Sequence, residues 1–318
     1  MMSKQKKSIA IIGAGRIVAG YDSPETDGAF THLHALQLCG GFEITGVFDQ
    51  DRNGLQAACA KWNVPAADNF QALMDTKPDA VLIAVPDAYH EEYLIKLLDY
   101  KPALVVCEKP LTLSVGTSEK IVERYRTENI PLAVSYQRRY DTDVNLLKQA
   151  MAEGSPGRFI SGSVLYSKGI LHNGSHAVDL LQYLFGKIEH AESYRANVDY
   201  SEKDPTMHAR LSFSQGDIFM IGGDERFHSL FEIDFVFEKA RYRFLESGHD
   251  LEIYQVLPDP NYPGYFALTN TEKRSSTLKY ALVNMWQEIA LFMDNKAPLR
   301  CTGNDAFLTQ KACMSLIK

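Results

Sequence analysis

The sequence predicts an α/β domain built on a parallel sheet, followed by an α+β domain with a large, mostly antiparallel sheet. Three observations predict it. A chain of 318 residues is too long for one ordinary core and suits two domains. Up to about residue 135, short and continuously apolar strands alternate with amphipathic helices. Beyond it the text is mostly strands with turns, several of them alternating polar and apolar residues.

In the first half, residues 8–12 form an apolar run that ends in glycine. Residues 42–48 are a second strand ending at Asp49, 80–85 a third stopped by Pro86, 104–107 a fourth and 131–136 a fifth. Helices are expected at 51–62, 114–128 and 90–100, the last with Tyr93, Leu94, Leu97 and Leu98 on one side. Apolar strands between such helices mean a parallel sheet covered on both faces. A helix at 142–153 and a Gly-Ser-Pro-Gly break lead to a strand at 158–167 and a helix at 175–185. Strands follow at 191–200, 207–214, 218–222, 230–237, 242–246 and 251–256, then a helix at 278–295 and a helical segment from Leu308. Without a Pro-rich linker, the expected domains, 1–135 and 136–318, are joined closely.

Composition narrows the function. Hydrophobic residues make up 45% and charged residues 23%, an ordinary globular mixture. With a net charge of -7 and no basic run, the chain is a poor ligand for nucleic acid or an anionic membrane, so neither partner is expected. The basic start at residues 4–7 runs into only a few apolar residues before Gly13, and the longest apolar run, 80–85, is too short to cross a bilayer. A cytoplasmic protein is expected. The five cysteines are scattered without CxxC spacing, which reads as buried free thiols.

Gly13-Ala14-Gly15 directly follows the first strand. A dinucleotide site needs glycine there, for the tight turn and for the close approach of backbone to pyrophosphate. Val18 occupies the third position of the GxGxxG fingerprint, with Gly20 out of register. Asp49 ends the second strand, where a carboxylate accepts hydrogen bonds from ribose hydroxyls and repels a 2′-phosphate. That favours NAD; Arg52 beside it leaves NADP open. Residues 19–30 lengthen the stretch between glycines and carboxylate, as a solvated loop or a flap beside the cofactor.

Three further motifs stand in order: Val85-Pro86-Asp87-Ala88-Tyr89-His90, Cys107-Glu108-Lys109-Pro110, and the run from Gly169 to Asp179 containing His172-Asn173-Gly174-Ser175-His176. With the glycine turn they resemble the glucose–fructose oxidoreductase/inositol dehydrogenase (Gfo/Idh/MocA) family over nearly the whole chain. The resemblance implies a Rossmann domain, an α+β domain whose open sheet makes oligomer contacts in a homodimer or homotetramer, and hydride transfer between nicotinamide and a sugar-like CH–OH, the substrate being a sugar, sugar derivative or nucleotide-sugar. It also implies a cis bond before Pro110. Lys109 matches the catalytic lysine, whose ammonium stabilises developing oxyanion charge. His176 matches the catalytic histidine that takes the alcohol proton. His172 stands where family dehydrogenases carry Asp; it shares the acid–base role or binds substrate phosphate. Gly13, Gly15, Arg16, Ile17, Asp49, Pro86, Asp87, His90 and Glu108 form the expected cofactor set. Asn173, Asp179, Arg139 and Tyr166 are the expected substrate contacts; Arg138 and Lys168 lie beside two of them.

Two rival readings remain. His172, His176 and Asp179 are spaced i, i+4, i+7 and would form a metal-binding face on a continuous helix, although Gly174 and Ser175 point to a helix starting after His172. Otherwise the chain is a binding protein of the same fold that senses dinucleotide or sugar without turnover.

Overall fold

A computed structural model describes residues 6–317, so Lys4 of the basic start lies outside the described residues. The chain forms β1 (Lys7–Ile12), α1 (His32–Cys39), β2 (Phe42–Phe48), α2 (Arg52–Trp62), α3 (Phe70–Asp75), β3 (Ala80–Ile83), α4 (His90–Tyr100), β4 (Leu104–Cys107), α5 (Val115–Thr127) and β5 (Leu132–Val134). It continues with α6 (Thr142–Glu153), β6 (Phe159–Tyr166), α7 (Ser175–Phe185), β7 (His190–Ser201), β8 (Asp204–Phe213), β9 (Gly216–Gly222), β10 (Phe231–Phe237), β11 (Ala240–Leu245), β12 (Asp250–Pro258), β13 (Phe266–Ser275), α8 (Ala281–Met293) and α9 (Gly303–Leu316).

These elements divide into two compact units. One runs through Tyr140 and is completed by Lys279–Leu308; the other is Asp141–Leu278, completed from Thr309 onward. Helix α8 thus belongs to the first unit. Leu282, Met285, Trp286 and Ile289 enter its core, a burial that periodicity announces without saying which core receives it.

The first unit holds a five-stranded parallel sheet in the order β2-β1-β3-β4-β5. Strands β3 and β4 are buried at every residue, as their uninterrupted apolar text requires. Asp51 caps α2 by accepting from the amides of Asn53 and Gly54, and Ser114 caps α5 through Thr117. In α4 the stripe Tyr93, Leu94, Leu97 and Leu98 is buried as predicted. The order reverses between β1 and β3, so a crevice opens at their carboxyl ends.

The lengthened stretch after the glycine turn is pinned rather than free to act as a flap. A five-residue π-helical turn, Arg16–Gly20, comes first, and α1 begins only at His32 with Thr31 as its cap. The buried Asp22 carboxylate accepts from the Phe30 amide at 2.5 Å and from the amide and hydroxyl of Thr31 at 3.2 and 2.5 Å, and it faces His34 Nδ1 at 3.0 Å. Lys61 Nζ donates to the carbonyls of Ala19 and Asp22, and Trp62 Nε1 to Ala19.

The second unit holds an eight-stranded sheet in the order β13-β12-β11-β10-β6-β9-β8-β7. All its pairings are antiparallel except β6 with β9. Phe231, Ile233, Phe235 and Phe237 alternate inward and pack with Val178, Leu181 and Leu184 of α7. The opposite face leaves Phe219 and Ile221 of β9 exposed. Strand β13 went unpredicted because most of its side chains are exposed and it shows no apolar alternation.

Burial alone would raise the Asp22 carboxyl, but hydrogen bonds from Thr31, Phe30 and His34 outweigh it and hold it below the ordinary carboxylate range. A carboxyl more acidic folded than unfolded stabilises fully above its unfolded value, about 3.9, and loses that contribution as pH falls through the folded value. Asp22→Asn should therefore cost about 1–3 kcal/mol at pH 7. Urea unfolding at pH 7 and at about pH 3 should show the gap between variant and wild type narrowing in acid; a gap independent of pH would refute the assignment.

Candidate functional site

In the first unit the expected cofactor residues gather at the strand ends. Gly13 has φ +113°, and a Cβ on it would lie 2.3 Å from the Ala84 carbonyl oxygen, so no side chain fits. Its amide donates to the Phe48 carbonyl at 2.7 Å, and the Ala84 amide donates to Ile12 at 2.8 Å. At Gly15 a Cβ would meet nothing within 4 Å: the turn faces open space, as an approaching pyrophosphate requires. Arg16 is exposed and Ile17 half-buried on this turn. Val18, in place of the third glycine, is fully buried. That glycine serves close packing of a long helix on the strand, and here only one π-helical turn follows.

Asp49 uses one oxygen to accept from the Ala14 amide at 2.7 Å and the other from the Asp51 amide at 2.8 Å. It is braced against the glycine turn while half-exposed. A cleft beside it is lined by Ile12, Phe48, Gln50, Val85, Pro86 and Tyr89. Asp87 is exposed on the short turn after Pro86. Tyr89 and Gln50 are cleft residues the sequence reading passed over; their signal was adjacency to His90 and Asp49. Arg52 donates to the carbonyls of Ala67 and Asp68.

Lys109 is half-buried at the end of β4, and the Lys109–Pro110 bond is cis. Glu108, expected to bind cofactor, instead turns its carboxylate toward His32, with Oε1 at 2.8 Å from His32 Nε2. His90 is fully buried, its ring nitrogens 2.7 Å from the Pro110 carbonyl and 2.9 Å from that of Val85. It ties two loops together rather than facing a ligand. Arg139, an expected substrate contact, is likewise buried, donating to the Arg300 carbonyl at 2.9 Å and lying 3.3 Å from Asp305.

In the second unit the helical path begins earlier than predicted. A π-helical segment, Gly169–Gly174, runs directly into α7. Among the described residues no group of three His, Cys, Asp or Glu is arranged to hold a metal ion. His176 is the second residue of α7 and half-buried. The segment is held by two carboxylates. Asp204 accepts from the amides of Leu171 at 2.7 Å and His172 at 2.9 Å, and Asp199 from those of Lys168 at 2.9 Å and Glu225 at 3.0 Å. Burial would raise the Asp199 carboxyl; hydrogen bonds from Lys168, Thr206 and Glu225 keep it below its ordinary range. The His172 ring lies 4.9 Å from that of Tyr200, and Lys168 Nζ is 5.8 Å from the same ring.

Three expected substrate contacts have structural positions here. Tyr166 is fully buried, its hydroxyl bonded to Met207, and its ring comes so close that a Cβ on Gly174 would lie 2.7 Å from it. Asp179 is buried and accepts from Thr309 Oγ1 at 3.3 Å. Asn173 donates to the carbonyls of Ser167 at 2.9 Å and Leu230 at 3.4 Å. Among the described residues no helix is long and apolar enough to cross a membrane.

Residues 7–136 match the model of an oxidoreductase family with an NAD-binding Rossmann fold, GFO_IDH_MocA. An inositol 2-dehydrogenase of Mycolicibacterium gilvum is 33% identical over 137 residues, 38% of this chain and 38% of that protein. A glucose-6-phosphate 3-dehydrogenase of Bacillus subtilis is 25% identical over 219 residues, 62% of this chain and 59% of that one. The chain thus spans between about 38% and 59% of the length of these curated relatives. The WlbA dehydrogenase of Bordetella pertussis, solved with NADH and UDP-GlcNAcA, shares the fold with a TM-score of 0.77 at 18% identity, covering 99% of this chain and 96% of that one. Matched from β1 through β5, residues 7–136 carry the NAD-binding Rossmann fold of the Gfo/Idh/MocA oxidoreductase family.

Proposed function

We propose that this protein is an NAD-dependent dehydrogenase that oxidises a CH–OH of a cyclic polyol, sugar or sugar derivative. The observation that carries the reading is the grouping, at neighbouring strand ends of one parallel sheet, of an open glycine turn, a carboxylate braced on it and Lys109. The residues fit a dinucleotide: Gly15 faces space that a Cβ would enter, and Asp49 is only partly buried beside it. NAD, when bound, supplies the hydride acceptor. The engagement of Arg52 with Ala67 and Asp68 supports NAD over NADP.

Lys109, as an ammonium, stabilises the negative charge that develops on the substrate oxygen. His176 accepts the hydroxyl proton. His172 replaces a carboxylate with an imidazole beside Tyr200 and near Lys168, a set suited to a ring substituent bearing phosphate or carboxylate. The inositol and glucose 6-phosphate dehydrogenases among the relatives support a polyol or sugar phosphate as substrate class. The exposed face with Phe219 and Ile221 supports a homodimer or homotetramer assembled through the open sheet.

Turnover is tested by NADH formation with myo-inositol, glucose 6-phosphate and UDP-linked sugars. Lys109→Ala and His176→Ala should each lower kcat by about 10²–10⁴ while NAD affinity, read by titration calorimetry, stays within about twofold. Unchanged turnover in both variants would refute these roles, and tight NAD binding with no turnover on any sugar would favour the non-catalytic reading.

Asp49→Ser should shift preference toward NADP. The ratio of kcat/KM with the two cofactors measures it, and an unmoved ratio means the carboxylate does not face the ribose.

A further inference from the structure

Lys109 leaves β4 as one of three residues in a motif, yet what surrounds its backbone comes from far along the chain. Glu108 Oε2 accepts from the Lys109 amide at 3.2 Å, while Oε1 lies 2.8 Å from His32 Nε2 on α1. The other nitrogen of His32, Nδ1, lies 3.2 Å from Trp286 Nε1 on α8. All four residues belong to the first unit. An indole N–H can only donate. Nδ1 of His32 therefore accepts, and Nε2 carries the hydrogen that is given to Glu108. His32 and Trp286 are both fully buried, their rings edge to face with centroids 5.7 Å apart.

We propose that His32 and Trp286 are positioning residues for Lys109, acting through Glu108; this rests on the reading that Lys109 acts on the substrate. A histidine buried only for packing has no need of an obligate donor at one nitrogen and a carboxylate at the other. Here the donors run one way, from Trp286 to His32 to Glu108, and end on a negative charge beside the lysine. If the imidazole held its hydrogen on Nδ1, its Nε2 lone pair would face the carboxylate and push it away. Trp286 forbids that tautomer. Burial by itself would raise the Glu108 carboxyl, but hydrogen bonds from His32 and Ser135 and the charge of Lys109 keep it below its ordinary value. The same coupling acts in reverse on Lys109 and favours its ammonium, the form that stabilises an oxyanion. The relay fixes the backbone from which the Lys109 side chain extends.

The test reads Lys109 directly and needs no turnover. The full-length protein is reductively methylated with ¹³C-formaldehyde, and the Lys109 resonance, assigned by its loss in Lys109→Arg, is followed against pH. Cys107, Asp87 and His90, ionisable groups near this strand end, are the same in every variant. In Glu108→Gln the Lys109 midpoint should fall by about one unit, since an opposite charge nearby is removed. In His32→Phe and Trp286→Phe it should move the same way by a smaller amount. Trp286→Phe keeps an aromatic ring against Phe42, so it guards against a variant that fails to fold. The indole ¹H–¹⁵N signal of Trp286 should shift in His32→Phe while that of Trp62 stays. A Lys109 midpoint that is unmoved in His32→Phe and Trp286→Phe overturns the relay, whatever the dehydrogenase assay gives. Absence of dehydrogenase activity in wild type, with the midpoints moving as stated, counts against the substrate reading and leaves the relay standing.

Discussion

The first unit is organised by one close approach. Gly13 leaves β1 against the backbone of Ala84, so close that a side chain at Gly13 would lie 2.3 Å from the Ala84 carbonyl oxygen. Around this point Gly13 donates to Phe48 and Ala84 to Ile12, stitching together the exits of β2, β1 and β3. Only with these exits so near can Asp49 reach the Ala14 amide. The Asp49 carboxylate is therefore placed by a glycine 36 positions earlier in the chain. The strand order reverses at the same point, which is where an open α/β sheet leaves a crevice.

The missing third glycine becomes intelligible from the backbone that follows. In the usual fingerprint that glycine lets a long helix lie close on the strand. Here five residues of π-helix intervene, Val18 fills the space as core, and α1 is postponed to His32. The delay would be costly if the intervening loop were loose, because ordering it costs about 1–2 kcal/mol per residue. Asp22 offsets that cost by gathering three hydrogen bonds from Phe30 and Thr31 into a buried carboxylate.

The first sheet was legible in the sequence because its strands are buried on both faces and read as plain apolar runs. Helix α1 was not, since two histidines at its start, His32 and His34, hide an apolar face on which both are in fact buried. Strand β13 lacked a pattern because it is exposed. Among the site residues, the glycine turn and Asp49 could be placed from strand ends, and Lys109 from the Glu-Lys-Pro motif that follows one. Tyr166, Asp179, Asn173 and Arg139 looked equally functional as text, being polar residues near the motifs. What distinguishes them is the partner each has found, Met207, Thr309, the carbonyls of Ser167 and Leu230, and that of Arg300. Such partners lie tens of residues away and have no local signature.

A single device recurs across both units. The segments at the glycine turn, at Lys109 and at 168–172 give their own backbone amides to a carboxylate: Ala14 to Asp49, Lys109 to Glu108, Lys168 to Asp199, Leu171 and His172 to Asp204. Loops with unpaired amides could sample several conformations, whereas a charged acceptor strengthens these bonds and selects one. His90 extends the device by joining the exits of β3 and β4 through two carbonyls. Motifs that stand apart in the text are thus one hydrogen-bonded assembly in the first unit. This explains why so many conspicuous acids and histidines around the site face inward. They hold the loops at the carboxyl ends of the strands, Glu108 through the Lys109 amide and His90 through two carbonyls.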